Sequence, residues 1–173
     1  YSYQKGQKGG LQMKLYHVSW EIVDHPEIRK AVRTLDYGDG FYATTSFQQA
    51  EAWVRRRAKE NGSVKGYVNV YEFDFSSLRK LNSLLFAKPS DEWVDFVMAN
   101  RTQNGFTHSY DIVYGPVAND RVYAAFALYE GGVLGKASLI RELKTYKLVD
   151  QYLFHTEEAL RYLLFIEAKE VIL

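Results

Sequence analysis

Residues 36–53 combine side chains that could hold a flat, phosphate-bearing ligand. Gly38 and Gly40 flank Asp39, and because glycine accepts backbone angles that other residues resist, we expect a tight turn whose backbone can approach a ligand. Tyr42 follows on a short extended segment. The alternative is an ordinary strand, turn and helix whose aromatic side chains belong to the core.

A helix is expected directly after this turn. Ser46 followed by Gln49 is a capping-box pattern, so the helix should begin near Phe47, and Gly62 should end it. Trp53 lies within this helix, and its residue type fits a place in the core as well as a ligand contact.

Arginines are the candidates for phosphate contact. Arg55, Arg56 and Arg57 are consecutive in this helix, and Arg101 ends a later helix whose N-cap is expected at Ser90. A guanidinium can bind a pyrophosphate through paired hydrogen bonds. A solvated helix face is the alternative in both places, because exposed arginine is common.

The composition excludes several classes of chemistry. The chain has 173 residues, a formal net charge of +1 and no cysteine. Disulfides, thiolate catalysis and cysteine-ligated zinc are therefore excluded, and the net charge gives no general attraction to nucleic acid or membranes. His17, His25, His108 and His155 lack metal-ligand spacing, and no phosphate-binding loop or nucleophile elbow is present. We expect no metal.

The N-terminal residues and the hydropathy give expectations about context. Residues 1–10 are polar and rich in Gly and Lys, so we expect a flexible lead-in before a single domain over 11–173. The chain begins at Tyr1 rather than Met, as an excised domain would. No apolar run approaches the ~20 residues that span a bilayer, and the first residues lack a signal-peptide core. We expect no membrane partner, and a cytoplasmic protein or a domain delivered within a larger one.

Strands and helices in mixed order must position these residues. Alternating β-branched and aromatic residues predict strands over 11–20, 64–75, 81–86, 110–117, 151–154 and 170–173. Helices are predicted after Pro26 through Val32, behind Asp120 as N-cap, over 138–146, and from Thr156 through Leu164. Because the elements do not alternate strictly, the sequence predicts an α+β fold with antiparallel sheets.

Three segments in this order resemble a known superfamily. They are LYHVS with His17 at the end of the first strand, YGDGFYATTSFQQAEAW with Tyr42 in the turn, and DQYLFHTEEALRYLLF with Gln151 opening a late strand. This arrangement resembles the poly(ADP-ribose) polymerase and diphtheria-toxin branch of the ADP-ribosyltransferases. The chain also looks like a bacterial domain family of undefined function that is thought to share this fold.

The resemblance implies two antiparallel sheets around a cleft that binds NAD as a substrate, with flanking helices. His17 would hydrogen-bond the adenosine-side ribose, Tyr42 and Trp53 would clamp the nicotinamide ring, and Gln151 would hold the nicotinamide ribose. Each has a plain structural alternative: a satisfied strand-end histidine, core aromatics, or a bridging amide.

Further contacts follow from the same resemblance. The backbone of Val18 would hold the carboxamide, Ser19 would bond a ribose, and Gly40 would allow the close backbone approach. Val18 stands where the family carries glycine, and Ala50 stands where polymerases carry serine.

The largest departure is Gln151 in place of the usual glutamate. An amide can hold a ribose hydroxyl but cannot take a proton or carry charge, which argues against chain elongation. We therefore expect transfer of a single ADP-ribose from NAD to a macromolecule, more readily a protein than a nucleic acid. The alternatives are an NAD glycohydrolase, a silent module that binds NAD, ADP-ribose or a partner protein, and a toxin-like domain acting on nucleic acid.

Overall fold

Seven strands and five α-helices form the described part of the chain. The structure is a computed structural model that describes residues 11–31 and 34–173. The strands are β1 (Gln12–Ser19), β2 (Phe41–Ala43), β3 (Lys65–Asp74), β4 (Ser83–Leu85), β5 (Ile112–Pro116), β6 (Asp150–Phe154) and β7 (Leu163–Ile172). The helices are α1 (Phe47–Asn61), α2 (Asp91–Thr102), α3 (Asp120–Glu130), α4 (Lys136–Lys144) and α5 (Glu157–Leu160). The proposed lead-in over 1–10 lies outside the described residues.

The first sheet is antiparallel, with the order β1-β3-β7. Ala50 and Val54 of α1 pack with Val68 and Val171 on one face of this sheet. Because α1 covers that face close to the end of β1, the helix forms a wall beside the last residues of the strand.

The second sheet is mixed, with the order β2-β6-β5-β4. β6 is antiparallel to both β2 and β5, whereas β4 and β5 are parallel. The chain between β4 and β5 runs through α2, a crossover long enough for parallel pairing. The expected α+β class with two sheets is confirmed, and the expectation that both sheets are antiparallel is wrong for this pair.

A short bridge joins the two sheets. Tyr16 of β1 and Thr44, the residue after β2, exchange two backbone hydrogen bonds of 2.9 Å. Leu15, Phe41 and Phe154 are buried in one core cluster to which both sheets contribute side chains. The bridge therefore holds the end of β1 beside β2.

The local signals at the ends of α1 and α2 are confirmed. Ser46 Oγ accepts a hydrogen bond from the backbone N–H of Gln49 at 3.1 Å, and Gly62 closes α1 with φ +66°. Ser90 Oγ accepts from the N–H of Trp93 at 3.2 Å. These caps depend only on neighbouring residues, which is why the sequence alone could place them.

Of two helices predicted near the ends of the chain, one is absent from the described residues and the other, which begins after its Thr156 cap as predicted, is shorter than predicted. Residues 26–31 after Pro26 contain no helix, and Val32 lies outside the described residues. The helix expected through Leu164 ends at Leu160, and the strand expected over 170–173 begins at Leu163. The reason is tertiary: β7 supplies backbone partners along the second edge of β3, which would otherwise lie open.

The cap of α3 lies one residue earlier than expected. Asn119 Oδ1, rather than Asp120, accepts the hydrogen bond from the N–H of Val122, at 3.0 Å. Asp120 is instead the first helical residue, where its negative charge interacts favourably with the positive end of the helix dipole.

Hydropathy places no helix across a membrane. Within residues 11–31 and 34–173, no helix is both long enough and apolar enough to span a bilayer.

Candidate functional site

A cleft of about 820 Å³ opens where β1, β2 and β6 meet. His17, Tyr42 and Gln151 line it, each from a different one of these strands. Gly40 and Trp53 also line it. Five of the seven residues for which the resemblance implies a contact with NAD therefore share one cleft, whose volume lies in the range of small-molecule sites.

His17 reaches the cleft as a neutral imidazole. Its Nδ1 lies 2.5 Å from the carbonyl oxygen of Tyr42, and since a carbonyl only accepts, Nδ1 carries the proton. Burial lowers the pKa of His17 from 6.5 to about 4, against the opposing effect of the bond to Tyr42, and the positive charge of Arg57 lowers it further. The ring also stacks on Phe41, with the ring centroids 3.9 Å apart. His17 thus presents Nε2 as a hydrogen-bond acceptor at neutral pH.

The hydroxyl of Tyr42 is engaged in structure. It donates to the carbonyl of Gly38 at 2.6 Å and accepts from the N–H of Tyr37 at 3.1 Å. Burial, followed by the charges of Asp36 and Asp39, raises the pKa of Tyr42. The phenol therefore fixes the glycine turn, and its ring is the part available to a ligand.

Close contacts to β6 hold the turn itself. Gly40 has φ +147°, and a Cβ there would lie 2.4 Å from the carbonyl oxygen of Phe154. His155 Nδ1 lies 2.6 Å from the carbonyl oxygen of Asp39, and His108 Nε2 lies 2.7 Å from that of Tyr37. Both histidines therefore hold the backbone of the turn in place. Glycine is required at position 40 because a side chain there would collide with the backbone of Phe154, whether or not a ligand is bound.

Trp53 belongs to the cleft rather than to the core. The buried residues of α1 are Ala50, Val54 and Ala58, while Trp53 is partly exposed and lines the cleft. An indole held on a helix offers a flat surface for stacking.

Gln151 and Asp36 form a buried pair at the base of the cleft. Gln151 Nε2 donates to Asp36 Oδ2 at 3.1 Å, and both side chains line the cleft while their residues are largely buried. Asp150, the neighbour of Gln151, points to the other face, as expected for a strand. Its carboxylate accepts from the hydroxyls of Thr44 and Thr45.

Asp36 accepts from further donors of different elements. Oδ2 also accepts from the N–H of Ala118 at 3.0 Å, and Oδ1 accepts from the hydroxyl of Tyr123. Arg101 Nη1 lies 3.9 Å from Oδ1, and its guanidinium lies over the Tyr123 ring at 4.4 Å. This network fixes the Asp36 carboxylate from α2, α3, the loop before α3 and β6.

Cations outnumber carboxylates around the cleft. Its lining contains six cationic side chains and two carboxylates, a local excess of four positive charges in a chain whose net charge is +1. The cations are Arg29, Lys30, Arg56, Arg57, Arg101 and Lys147, and the carboxylates belong to Asp36 and Asp120. A concave surface of this sign favours an anionic ligand.

Of the remaining predicted residues, Arg56, Arg57 and Arg101 line the cleft, whereas Val18, Ser19 and Arg55 are not among its lining residues in the described part of the chain. Within the described residues, Val18 and Ser19 are not part of the cleft lining: Val18 packs beside α1, and Ser19 Oγ accepts from the N–H of Glu21. Arg55 separates from its two neighbours, because it pairs with Glu51 at 3.2 Å away from the cleft. Arg101 lines the cleft, but its nearest partner is the carbonyl oxygen of Thr34 at 2.9 Å.

Sequence reasoning missed several residues that line the cleft, among them Asp36, Tyr123 and Lys147. Asp36 and Tyr123 meet across 87 positions, and Asp36 and Gln151 across 115, so no local spacing indicates these contacts. The only local signal was the position of Asp36 directly before the glycine turn. Lys147 lies in the connection between α4 and β6, where the sequence contains no recognisable motif.

Metal ligands do not cluster in the described part of the chain. Residues 11–31 and 34–173 contain no group of three or more His, Asp or Glu side chains placed to hold a metal ion.

Comparisons with known proteins give one match. A family model described as a protein of unknown function, DUF3990, matches residues 13–165, a range that contains every strand residue lining the cleft. Searches of curated proteins and of solved structures found no significant match to the chain.

Proposed function

Because the chain belongs to the DUF3990 family of proteins of unknown function, we propose its activity from the cleft itself: transfer of one ADP-ribose unit from NAD to a macromolecular acceptor, with release of nicotinamide. The proposal includes the ADP-ribosyltransferase-like fold that the sequence resemblance implies. The observation that carries it is the convergence of His17, Tyr42 and Gln151, from three strands, in one basic cleft.

The charge of the cleft suits the pyrophosphate of a dinucleotide. Arg56 and Arg57 lie on the α1 side and Lys147 on the β6 side, so cations flank the cleft from both directions. Guanidinium groups bind phosphate oxygens in paired hydrogen bonds, and a partly enclosed site strengthens them.

The neutral groups suit the two sugars and the nicotinamide ring. His17 Nε2 accepts from a ribose hydroxyl, because its Nδ1 proton is held by Tyr42. The rings of Tyr42 and Trp53 give the nicotinamide two apolar surfaces. A stacked pair of this kind contributes roughly 0.5–1.5 kcal/mol.

The chemistry needs no metal and no covalent intermediate on the protein. The bond between the ribose C1′ and the nicotinamide nitrogen breaks, its electron pair leaves with neutral nicotinamide, and positive charge develops on the ribosyl carbon and ring oxygen. The acceptor forms the new bond at C1′ and releases its proton to solvent. An enzyme accelerates this step by binding the charged state more tightly than NAD.

A silent NAD-binding module is the second candidate, favoured by the neutral amide of Gln151. The test is to incubate the protein with NAD labelled in the adenylate part, with and without a cell lysate. Free nicotinamide is measured by chromatography, and the label is followed in the protein and nucleic-acid fractions. Nicotinamide release with labelled macromolecule is the expected result.

The other outcomes separate the alternatives. Release without labelled macromolecule identifies an NAD glycohydrolase, and a rise in melting temperature with NAD but no release identifies a binding module. Trp53→Ala should slow release about tenfold through loss of stacking. Trp20→Ala is the matched control, because Trp20 is exposed and, among the described residues, lies outside the cleft lining.

A further inference from the structure

The resemblance leads us to expect a glutamate at the position of Gln151 on β6. Because Gln151 is neutral, this position supplies no charge to the proposed reaction. A ribosyl cation is stabilised by negative charge held close to it, and an amide offers only a dipole. The base of the cleft nevertheless contains a carboxylate, 3.1 Å from that amide.

We infer that Asp36 is the catalytic carboxylate of this site and that Gln151 is its positioning residue. This inference rests on the proposed function and names the group that stabilises its charged state. Gln151 Nε2 holds Asp36 Oδ2, and Oε1 of the same amide can accept a ribose hydroxyl.

The surroundings of Asp36 are those of a preorganised charge. Its partners are the N–H of Ala118, the amide of Gln151, the hydroxyl of Tyr123 and the more distant guanidinium of Arg101, and all of them are donors. A carboxylate accepts at about four positions, so these partners fix its orientation. A charge that is already oriented needs no reorganisation as positive charge develops on the ligand.

The negative charge of Asp36 also affects two tyrosine side chains that line the cleft. Asp36 contributes, after burial, to the raised pKa values of both Tyr42 and Tyr123, which lie on different elements that line the cleft. Arg101 is the most distant of these partners, with its nearest nitrogen 3.9 Å from Oδ1 and its guanidinium over the Tyr123 ring, so it offsets only part of the charge of Asp36.

The proposed step balances without another reactant. Breaking the C1′–nicotinamide bond sends the electron pair to nicotinamide and leaves positive charge on the ribosyl group facing Asp36. The acceptor then bonds to C1′ and loses one proton to solvent. Asp36 acts through its charge and is unchanged at the end.

A charge exchange tests this assignment. Nicotinamide release and NAD affinity are measured for the wild type, Asp36→Asn and the double variant Asp36→Asn/Gln151→Glu, which returns a carboxylate to the same hydrogen-bonded pair. Asp36→Asn should slow release about 100-fold, and the double variant should regain at least about tenfold, with NAD affinity changed only a few-fold throughout. Asp95→Asn, an exposed carboxylate paired with Lys136, is the control.

The failures are distinguishable. No release by the wild type overturns the proposed function and this inference together. Release by the wild type and equally by Asp36→Asn overturns the inference alone, and so does a folded, NAD-binding double variant no faster than Asp36→Asn. If Asp36→Asn does not fold, Tyr123→Phe removes one donor and keeps the carboxylate: it should lower kcat several-fold at unchanged KM, and an unchanged kcat overturns the assignment.

Discussion

Replacing His17 with glutamine should remove a defined part of the acid sensitivity of the fold. Glutamine can still donate a hydrogen bond to the carbonyl of Tyr42 but does not titrate. The perturbation therefore separates the protonation of His17 from its contact.

The direction follows from the lowered pKa. The pKa of His17 is about 4 in the folded chain and 6.5 in a free imidazole, a difference of about 2.5 pH units. Below pH 6.5 the unfolded chain binds the proton while the folded chain does not, so the free energy of unfolding falls as the pH falls, until about pH 4. Above pH 7 the penalty is absent.

The magnitude follows from the same two values. Between pH 7.5 and pH 4.5, His17 should account for a loss of about 2.5 kcal/mol, because each pH unit in the window is worth about 1.36 kcal/mol. Titration of other groups, including the lowered pKa of His108, is common to both proteins and cancels in their difference.

The assay is urea unfolding at several pH values, followed by tryptophan fluorescence. The difference in the free energy of unfolding, wild type minus His17→Gln, should fall by about 2.5 kcal/mol as the pH is lowered from 7.5 to 4.5. His25→Gln is the control, because its side chain is 90% exposed. Parallel pH profiles for the wild type and His17→Gln would refute the burial of a neutral imidazole at the cleft.

Two other substitutions test the turn and the cations. Gly40→Ala should lower the free energy of unfolding by about 2–4 kcal/mol, because the new Cβ would lie 2.4 Å from a carbonyl oxygen. Gly62→Ala, whose Cβ would meet no atom within 4 Å, is the control and should lower it by about 1 kcal/mol. Equal losses for the two variants in urea titrations would count against the close approach at Gly40. Arg56→Gln should weaken NAD binding about fivefold at low salt and less at high salt, measured by calorimetry. Lys59→Gln is the control, because Lys59 lies on the same helix but, among the described residues, not in the cleft lining, and it should not weaken NAD binding. A similar loss in both variants would show that a positive charge anywhere on α1 has the same effect on NAD binding.

Local signals determined which parts of the fold were predictable. The caps at Ser46 and Gly62 involve neighbouring residues, so the sequence placed them correctly. The residue types after Thr156 favoured a helix through Leu164, yet α5 ends at Leu160 and β7 begins at Leu163. The edge of β3 provides a partner for β7 that no local pattern reveals.

The same distinction holds at the site. His17, Tyr42 and Gln151 could be singled out, since each lies in a segment with its own motif. The contact between Asp36 and Gln151 could not be predicted, because 115 positions separate them and no local pattern indicates that they meet. The segregation of Arg55 from Arg56 likewise depends on how α1 lies against its sheet.

A structure determined with carba-NAD, an analogue whose glycosidic bond does not break, tests the central claim most directly. The proposal predicts the nicotinamide ring between Tyr42 and Trp53, a ribose hydroxyl within hydrogen-bond distance of His17 Nε2, and the pyrophosphate beside the cations of α1. A ligand bound outside this cleft, or no binding at millimolar concentration to a folded protein, would contradict it.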